Sequence, residues 1–240
     1  VVAVRPNHAA VHAFRGVMWI GFGGSVEAKG EDPREAYRSA CAALERALAL
    51  KPDYVAALTE HGIACWRLGD ARNVRGEEGA PAYAAAVESF SAAGRLEPRD
   101  TAVRNNRGLV YAAWGEEMVE RGIDARENFG RAAADFEEAL RIDPELAEAY
   151  VNRGSVLGAM ADACAARGED PRPSYVRAVE AFAEAIRRKP ASPDARLNRG
   201  NAQRKLATAE EERGGDPGPW YEGAVADLDA ALELKPGYAP

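Results

Sequence analysis

The chain has 240 residues, with 31 Lys+Arg against 38 Asp+Glu, a net charge of −7 and 47% hydrophobic residues. Such a composition can bury a sizeable core, while the negative balance and the lack of a Lys/Arg-rich run argue against nucleic acid or an anionic membrane as partner. No apolar run approaches the roughly eighteen residues of a membrane span, and Val1 to Pro6 has no signal-peptide pattern, so a soluble chain is expected; three cysteines, an odd number without CxxC spacing, indicate no disulfide framework and fit a reducing cytoplasm.

Prolines set a register: Pro6, Pro52, Pro98, Pro144, Pro190 and Pro236 are each 46 residues apart. A fixed period of this length marks a repeat array. Ten residues past the first five prolines stand Gly16, Gly62, Gly108, Gly154 and Gly200, and fourteen further on Gly30, Gly76, Gly122, Gly168 and Gly214. An aromatic follows at Tyr37, Tyr83, Phe129, Tyr175 and Tyr221. Alanines recur at Ala40, Ala86, Ala132, Ala178 and Ala224 and at Ala47, Ala93, Ala139, Ala185 and Ala231, with Leu44, Phe90, Phe136, Phe182 or Leu228 between them. The units are about 6–51, 52–97, 98–143, 144–189 and 190–235 of one array, each holding two antiparallel helices, A then B. Residues 1–5 align with 47–51 and read as the end of a preceding helix B, so the sequence is expected to belong to a longer array or multidomain chain.

In the first unit, helix A carries Val11, Phe14, Val17, Met18, Trp19, Ile20 and Phe22, apolar on more than one face, as though something should cover it. Gly30 suits a left-handed helix end, and Asp32-Pro33 suits the start of helix B, with Asp accepting free N–H groups and proline preset in φ. The second unit has Glu78-Gly79 and the third Asp124-Ala125, weaker caps that are expected to fray more. In the fourth unit, helix A runs from about Pro144 to Arg167, with Ala149, Val156, Leu157, Met160 and Cys164 at helical intervals. Helix B follows Asp170-Pro171, carries Tyr175, Ala178, Phe182, Ala185 and Ile186 on one stripe, and stops near Pro190. Asp216-Pro217 repeats this start in the fifth unit. A mid-helix glycine costs roughly 1 kcal/mol relative to alanine. The glycine of helix A is therefore expected to face an alanine of helix B in close packing, the bulky residue filling space toward the next hairpin.

Asn152-Arg153-Gly154 followed by Tyr175, Ala178, Phe182, Ala185 and Pro190 resembles the tetratricopeptide repeat, over nearly the whole chain. That family's period is about 34 residues, so these units are roughly a dozen longer. The surplus includes Glu116 to Arg121 and Asp162 to Arg167 and is read as lengthening both helices by one to two turns. HEAT and armadillo arrays, which share the length but not this residue order, are the alternative fold. The resemblance implies an all-α, right-handed solenoid of five stacked helical hairpins. It also implies a non-enzymatic, cofactor-free interaction module that holds a peptide or helix of a partner protein in a concave groove lined by helix A. Carried over by position, the groove residues are Ala13, Val17 and Ile20, then Thr59, Ile63, Trp66 and Arg67, then Asn105 and Leu109, Val151 and Ser155, and Leu197, Asn201, Arg204 and Lys205. Trp66 and the Arg204/Lys205 end are its expected anchors. The carboxylate clamp of some members needs lysine where Ala13, Thr59, Asn105 and Val151 stand, and is not expected here. The alternative function is a structural scaffold, a homo-oligomer stacking through uncapped terminal repeats. An RNA-binding solenoid would need basic and aromatic side chains once per unit, which this groove lacks.

Other groups read as structural. His8 and His12 share a helix face and His61 lies in the next unit, but no HExxH pattern joins them and no metal site is expected. Glu31-Asp32, Glu77-Glu78 and Glu169-Asp170 sit where a helix start favours negative charge. Asn106-Arg107, Asn152-Arg153 and Asn198-Arg199 could present an arginine ladder to an anionic ligand, and packing between repeats is the preferred reading. Cys41, Cys65 and Cys164 have no CxxC spacing and no partner histidine at repeat-adjacent spacing, so they read as packing residues.

Overall fold

The computed structural model describes residues 8–236; the reading of residues 1–5 lies outside them. The described residues form ten α-helices and no strand: α1 (Ala9–Ala28), α2 (Arg34–Leu50), α3 (Val55–Asn73), α4 (Ala80–Leu96), α5 (Thr101–Glu120), α6 (Arg126–Ile142), α7 (Ala147–Ala166), α8 (Arg172–Arg188), α9 (Pro193–Glu211) and α10 (Gly218–Leu234). Odd-numbered helices are the A helices, 19 or 20 residues long. Even-numbered helices are the B helices, each 17 residues. This is the expected all-α helical-hairpin class.

The helix ends follow from the second glycine series. Gly30, Gly76, Gly122, Gly168 and Gly214 have φ between +71° and +75° and are the only residues with positive φ among those described. Around Gly30 the backbone closes a Schellman motif, with Gly30 N–H donating to the Glu27 carbonyl (2.8 Å) and Glu31 N–H to the Val26 carbonyl (3.1 Å). A side chain with Cβ would strain at each of these positions.

The helix starts differ from expectation in the second and third units. Asp124 Oδ1 accepts from Arg126 N–H at 3.1 Å, as Asp32 does from Arg34 and Asp170 from Arg172 at the same distance, so the third start has the same cap as its neighbours. In the second unit the cap arrives from elsewhere in the chain. Buried Glu117, near the end of α5, accepts from Gly79 N–H at 2.6 Å and places a carboxylate at the N-terminus of α4. Position 79 has no room for a side chain, because a Cβ there would stand 2.8 Å from the Gly69 carbonyl oxygen and 3.3 Å from Glu117 Oε2.

The chain divides into two compact units, Val1–Glu117 and Met118–Pro240. In the first, α1 packs on α2, α2 on α3 and α3 on α4, with α1 also touching α3. Its core joins Ala40, Leu44, Ala47, Tyr83, Ala86, Phe90 and Ala93. In the second, α6 packs on α7, α7 on α8, α8 on α9 and α9 on α10, and α7 also meets α9. Leu157, Ala178, Phe182 and Ala202 form one cluster there, and Ala161, Tyr175 and Leu206 another.

The mid-helix glycine faces the bulky residue of helix B, not an alanine. A Cβ at Gly62 would stand 2.7 Å from the Phe90 ring and one at Gly154 2.7 Å from the Phe182 ring, and Gly16 abuts Leu44 in the same way. The large side chain therefore lies across helix A of its own hairpin. The alanines before and after it, fully buried at Ala40, Ala47, Ala86, Ala93 and Ala178, let the helices come near enough for that contact.

Truncating Glu117 to alanine leaves a buried N–H without its carboxylate and is expected to cost about 2–3 kcal/mol. Asp32→Ala, which removes an exposed cap, is expected to cost about 1 kcal/mol. Urea denaturation of both variants checks this, and equal losses would contradict it.

Candidate functional site

Within the second unit, α7 and α9 run side by side with α8 behind them and leave an open depression of about 200 Å³ between them. Ser155, Asn201 and Lys205, all predicted groove residues, line it together with Gly158, Ala159 and Asn198. At its floor the Asp162 carboxylate accepts from the Tyr175 hydroxyl at 2.5 Å and pairs with Lys205 Nζ at 2.6 Å. Burial first, and then the adjacent Asp162, push the Tyr175 phenol up, so it stays a neutral donor. A second depression of about 250 Å³ shares Asp162, Tyr175 and Lys205 and adds Arg204, Thr208 and Glu212. Exposed Arg204 has no ion-pair partner among the described residues.

Ser155 Oγ donates to the Val151 carbonyl (3.1 Å), while the side chains of Asn198 and Asn201 have no hydrogen-bond partner among the described residues. Val151 itself lines a separate depression of about 240 Å³ with Glu148, Ser192 and Asp194. Leu197 is half-buried and lines none of these three.

In the first unit the predicted residues are more embedded. Ala13 and Asn105 are buried, and Thr59, Ile63, Trp66, Leu109 and Ile20 are half-buried, with Ile20, Ile63 and Trp66 against the core. Arg67 is exposed, its guanidinium 5.4 Å from the Trp66 ring centre. Along α1, Val17 is exposed, as are Val11, Phe14, Met18 and Phe22.

Sequence reasoning missed the acidic partner of the aromatic. Tyr83 donates to Asp70 at 2.9 Å as Tyr175 does to Asp162, and Tyr37 donates to Glu27 at 2.9 Å. Asp70, Glu116 and Asp162 are 46 residues apart, so the register held the signal. The arginine ladder is structural, as preferred. Arg107 binds Ser91 (2.9 Å), Arg153 binds Glu137 (2.7 Å), and Arg199 makes a bidentate pair with buried Asp227 (both 2.6 Å). The cysteine reading needs correction. His61 and Cys65 are four residues apart on α3, and with Cys41 of α2 they form a buried cluster whose ligand atoms lie within 4.8 Å of one another.

No protein-family model matches the sequence, and no curated protein matches it. Solved structures do. The chain is similar to MamA (41-end) from Desulfovibrio magneticus RS-1, with 15% identity, a TM-score of 0.54, and 94% of this chain and 98% of that one covered. It is also similar to TTC0263, a thermophilic TPR protein of Thermus thermophilus, with 20% identity, a TM-score of 0.50 and 92% of each chain covered. The fold is tetratricopeptide-repeat-like.

Burial pushes the Asp70 carboxyl up to about 6, outweighing the Tyr83 hydrogen bond and the Arg67 charge. The folded chain holds this proton more tightly than the unfolded one. Asp70's contribution to stability is thus greatest below its ordinary pKa of 3.8 and falls as pH rises toward about 6. Asp70→Asn, which keeps an acceptor for Tyr83, is expected to be more stable than the parent by about 1–2 kcal/mol at pH 7, the gap closing near pH 4. Urea titrations at the two pH values check this, and a gap that does not change with pH would contradict it.

Proposed function

We propose that this chain is a non-enzymatic protein–protein interaction module, and that the α7/α9 depression of its second unit holds an extended peptide segment of a partner. The supporting observation is the chemistry of that depression. Two side-chain amides without partners, Asn198 and Asn201, stand beside small Gly158 and Ala159. A carboxamide offers a donor and an acceptor, matching a peptide group, and small neighbours leave room for backbone to approach. Arg204, exposed next to Lys205, suits an acidic side chain or a terminal carboxylate of the same segment. Lys205 is already engaged by Asp162, so Arg204 is the freer cation.

The way residues vary along the repeats favours recognition of one particular sequence. Framework positions barely change, as in Gly16, Gly62, Gly108, Gly154 and Gly200. Groove positions change at every unit: Thr59, Asn105, Val151 and Leu197 occupy one register, and Ile63, Leu109, Ser155 and Asn201 another. A ligand read by such a surface is itself non-repetitive. Within Val1–Glu117, Trp66 and Arg67 offer a separate contact, an aromatic ring with a cation over it, which suits an apolar side chain flanked by acid.

Selection from a random peptide library displayed on phage tests the reading. Selected peptides are expected to carry an acidic residue or an acidic terminus and to bind more weakly as salt rises. Asn201→Ala and Arg204→Ala are each expected to cost at least about 1 kcal/mol of binding in anisotropy titrations. No selected binder, or affinities unchanged in both variants, would contradict the proposal.

A further inference from the structure

We propose that Cys41, His61 and Cys65 form a binding site for a thiophilic divalent cation, zinc(II), with Glu45 as the carboxylate that closes its fourth position. The residues come as two pairs at i,i+4 spacing, Cys41 and Glu45 on α2 and His61 and Cys65 on α3, so each pair lies on one face of its helix. The two helices pack directly on each other.

The distances fit the ion. Sγ of Cys41 lies 3.4 Å from Sγ of Cys65, and Nε2 of His61 lies 3.5 Å from Cys65 Sγ. Around tetrahedral zinc, with about 2.3 Å to sulfur and about 2.1 Å to nitrogen, the corresponding separations are roughly 3.8 Å and 3.6 Å. The sulfurs need to part by a few tenths of an ångström, and the imidazole to turn so that Nε2 faces them. Glu45 Oε1 stands 3.8 Å from His61 Nε2, on the solvent side, since its side chain is 68% exposed against 10% for His61.

Ser89 can hold the imidazole in the tautomer a metal needs. Ser89 Oγ donates its single proton to the Ala85 carbonyl at 3.0 Å. With its proton so placed, Ser89 accepts from Nδ1 of His61, 2.7 Å away. In that tautomer the proton sits on Nδ1 and Nε2 is the nitrogen left for a metal; Cys65 Sγ lies beside the ring, 3.5 Å from Nε2 and 3.9 Å from Nδ1, so the imidazole must turn for the Nε2 lone pair to meet the ion. A ring nitrogen oriented through a hydrogen bond on its other nitrogen is the usual support of a metal-ligating histidine. Binding replaces the two thiol protons by one divalent ion, so two protons are released per ion while no electron is transferred. The site would tie the B helix of the first hairpin to the A helix of the second.

Cobalt(II) titration of the reduced chain, free of any histidine tag, reads thiolate ligation directly. Sulfur-to-metal charge-transfer absorption saturating at one equivalent and bleached by added zinc is expected. Cys164→Ser should keep this spectrum, and Cys65→Ser and His61→Ala, checked for helicity by circular dichroism, should lose it. Ser89→Ala is expected to retain the spectrum while weakening zinc affinity by about ten- to a hundredfold, as a positioning residue does. Absence of charge-transfer absorption in the parent chain, or its persistence in Cys65→Ser, would overturn the proposal. Formation of a Cys41–Cys65 disulfide in place of metal binding under reducing conditions would overturn it too.

Discussion

Contact between a glycine of helix A and the large side chain of helix B in the same hairpin sets the distance at which the two helices meet. Phe90 on Gly62 and Phe182 on Gly154 are the clearest cases, and at both positions even one added methyl group would enter the ring. The buried alanines around each phenylalanine are the other half of this constraint, since larger residues would hold the helices apart before ring and glycine touched. Gly200 in the fifth unit is looser, its nearest side-chain neighbour being Leu228 at 3.5 Å.

From that contact the site follows. Gly154 and Phe182 belong to the wall of the α7/α9 depression, so the residue that fixes hairpin spacing also shapes the surface on which a ligand would lie. Tyr175 reaches the same floor from α8 and holds Asp162, which holds Lys205 of the next A helix. One chain of polar contacts thereby joins the interior of a hairpin to the face it shares with its neighbour. An Arg–acid ladder does similar work at the hairpin tips. Arg172 bridges Asp170 and Glu210, and Arg126 bridges Asp124 and Glu169, each linking consecutive repeats. These pairs are largely exposed, so they add little stability individually and serve mainly to fix register.

Much of the architecture was legible because a repeat states its own rules several times over. The 46-residue period located the hairpins, and the glycines before each helix B announced the left-handed turns that the backbone adopts. What each residue faces was less legible. Period and composition say that Gly154 needs a close neighbour, but choosing Phe182 over Ala178 requires knowing the rotation of each helix about its axis. Features that break the period were hidden altogether. Glu117 caps α4 from 38 residues away, where the other units hold Ser25, Ala71, Ala163 or Ala209, and Cys41 meets Cys65 across 24 residues, a spacing unrelated to the repeat. The Asp162 floor lay between these extremes, since its register was readable while its bond to Tyr175 was not.

The central claim, that glycine stands at the hairpin contact because of packing and not to loosen the helix, is tested most directly by comparing two glycines one helical turn apart on α7. A Cβ at Gly154 meets the Phe182 ring at 2.7 Å, whereas one at Gly158 meets nothing within 4 Å. In parallel urea denaturation, Gly158→Ala should gain up to about 1 kcal/mol from helix propensity. Gly154→Ala should lose about 1–3 kcal/mol through overpacking against the ring. If Gly154→Ala were as stabilising as Gly158→Ala, the contact would not set the spacing, and the account built on it would fail.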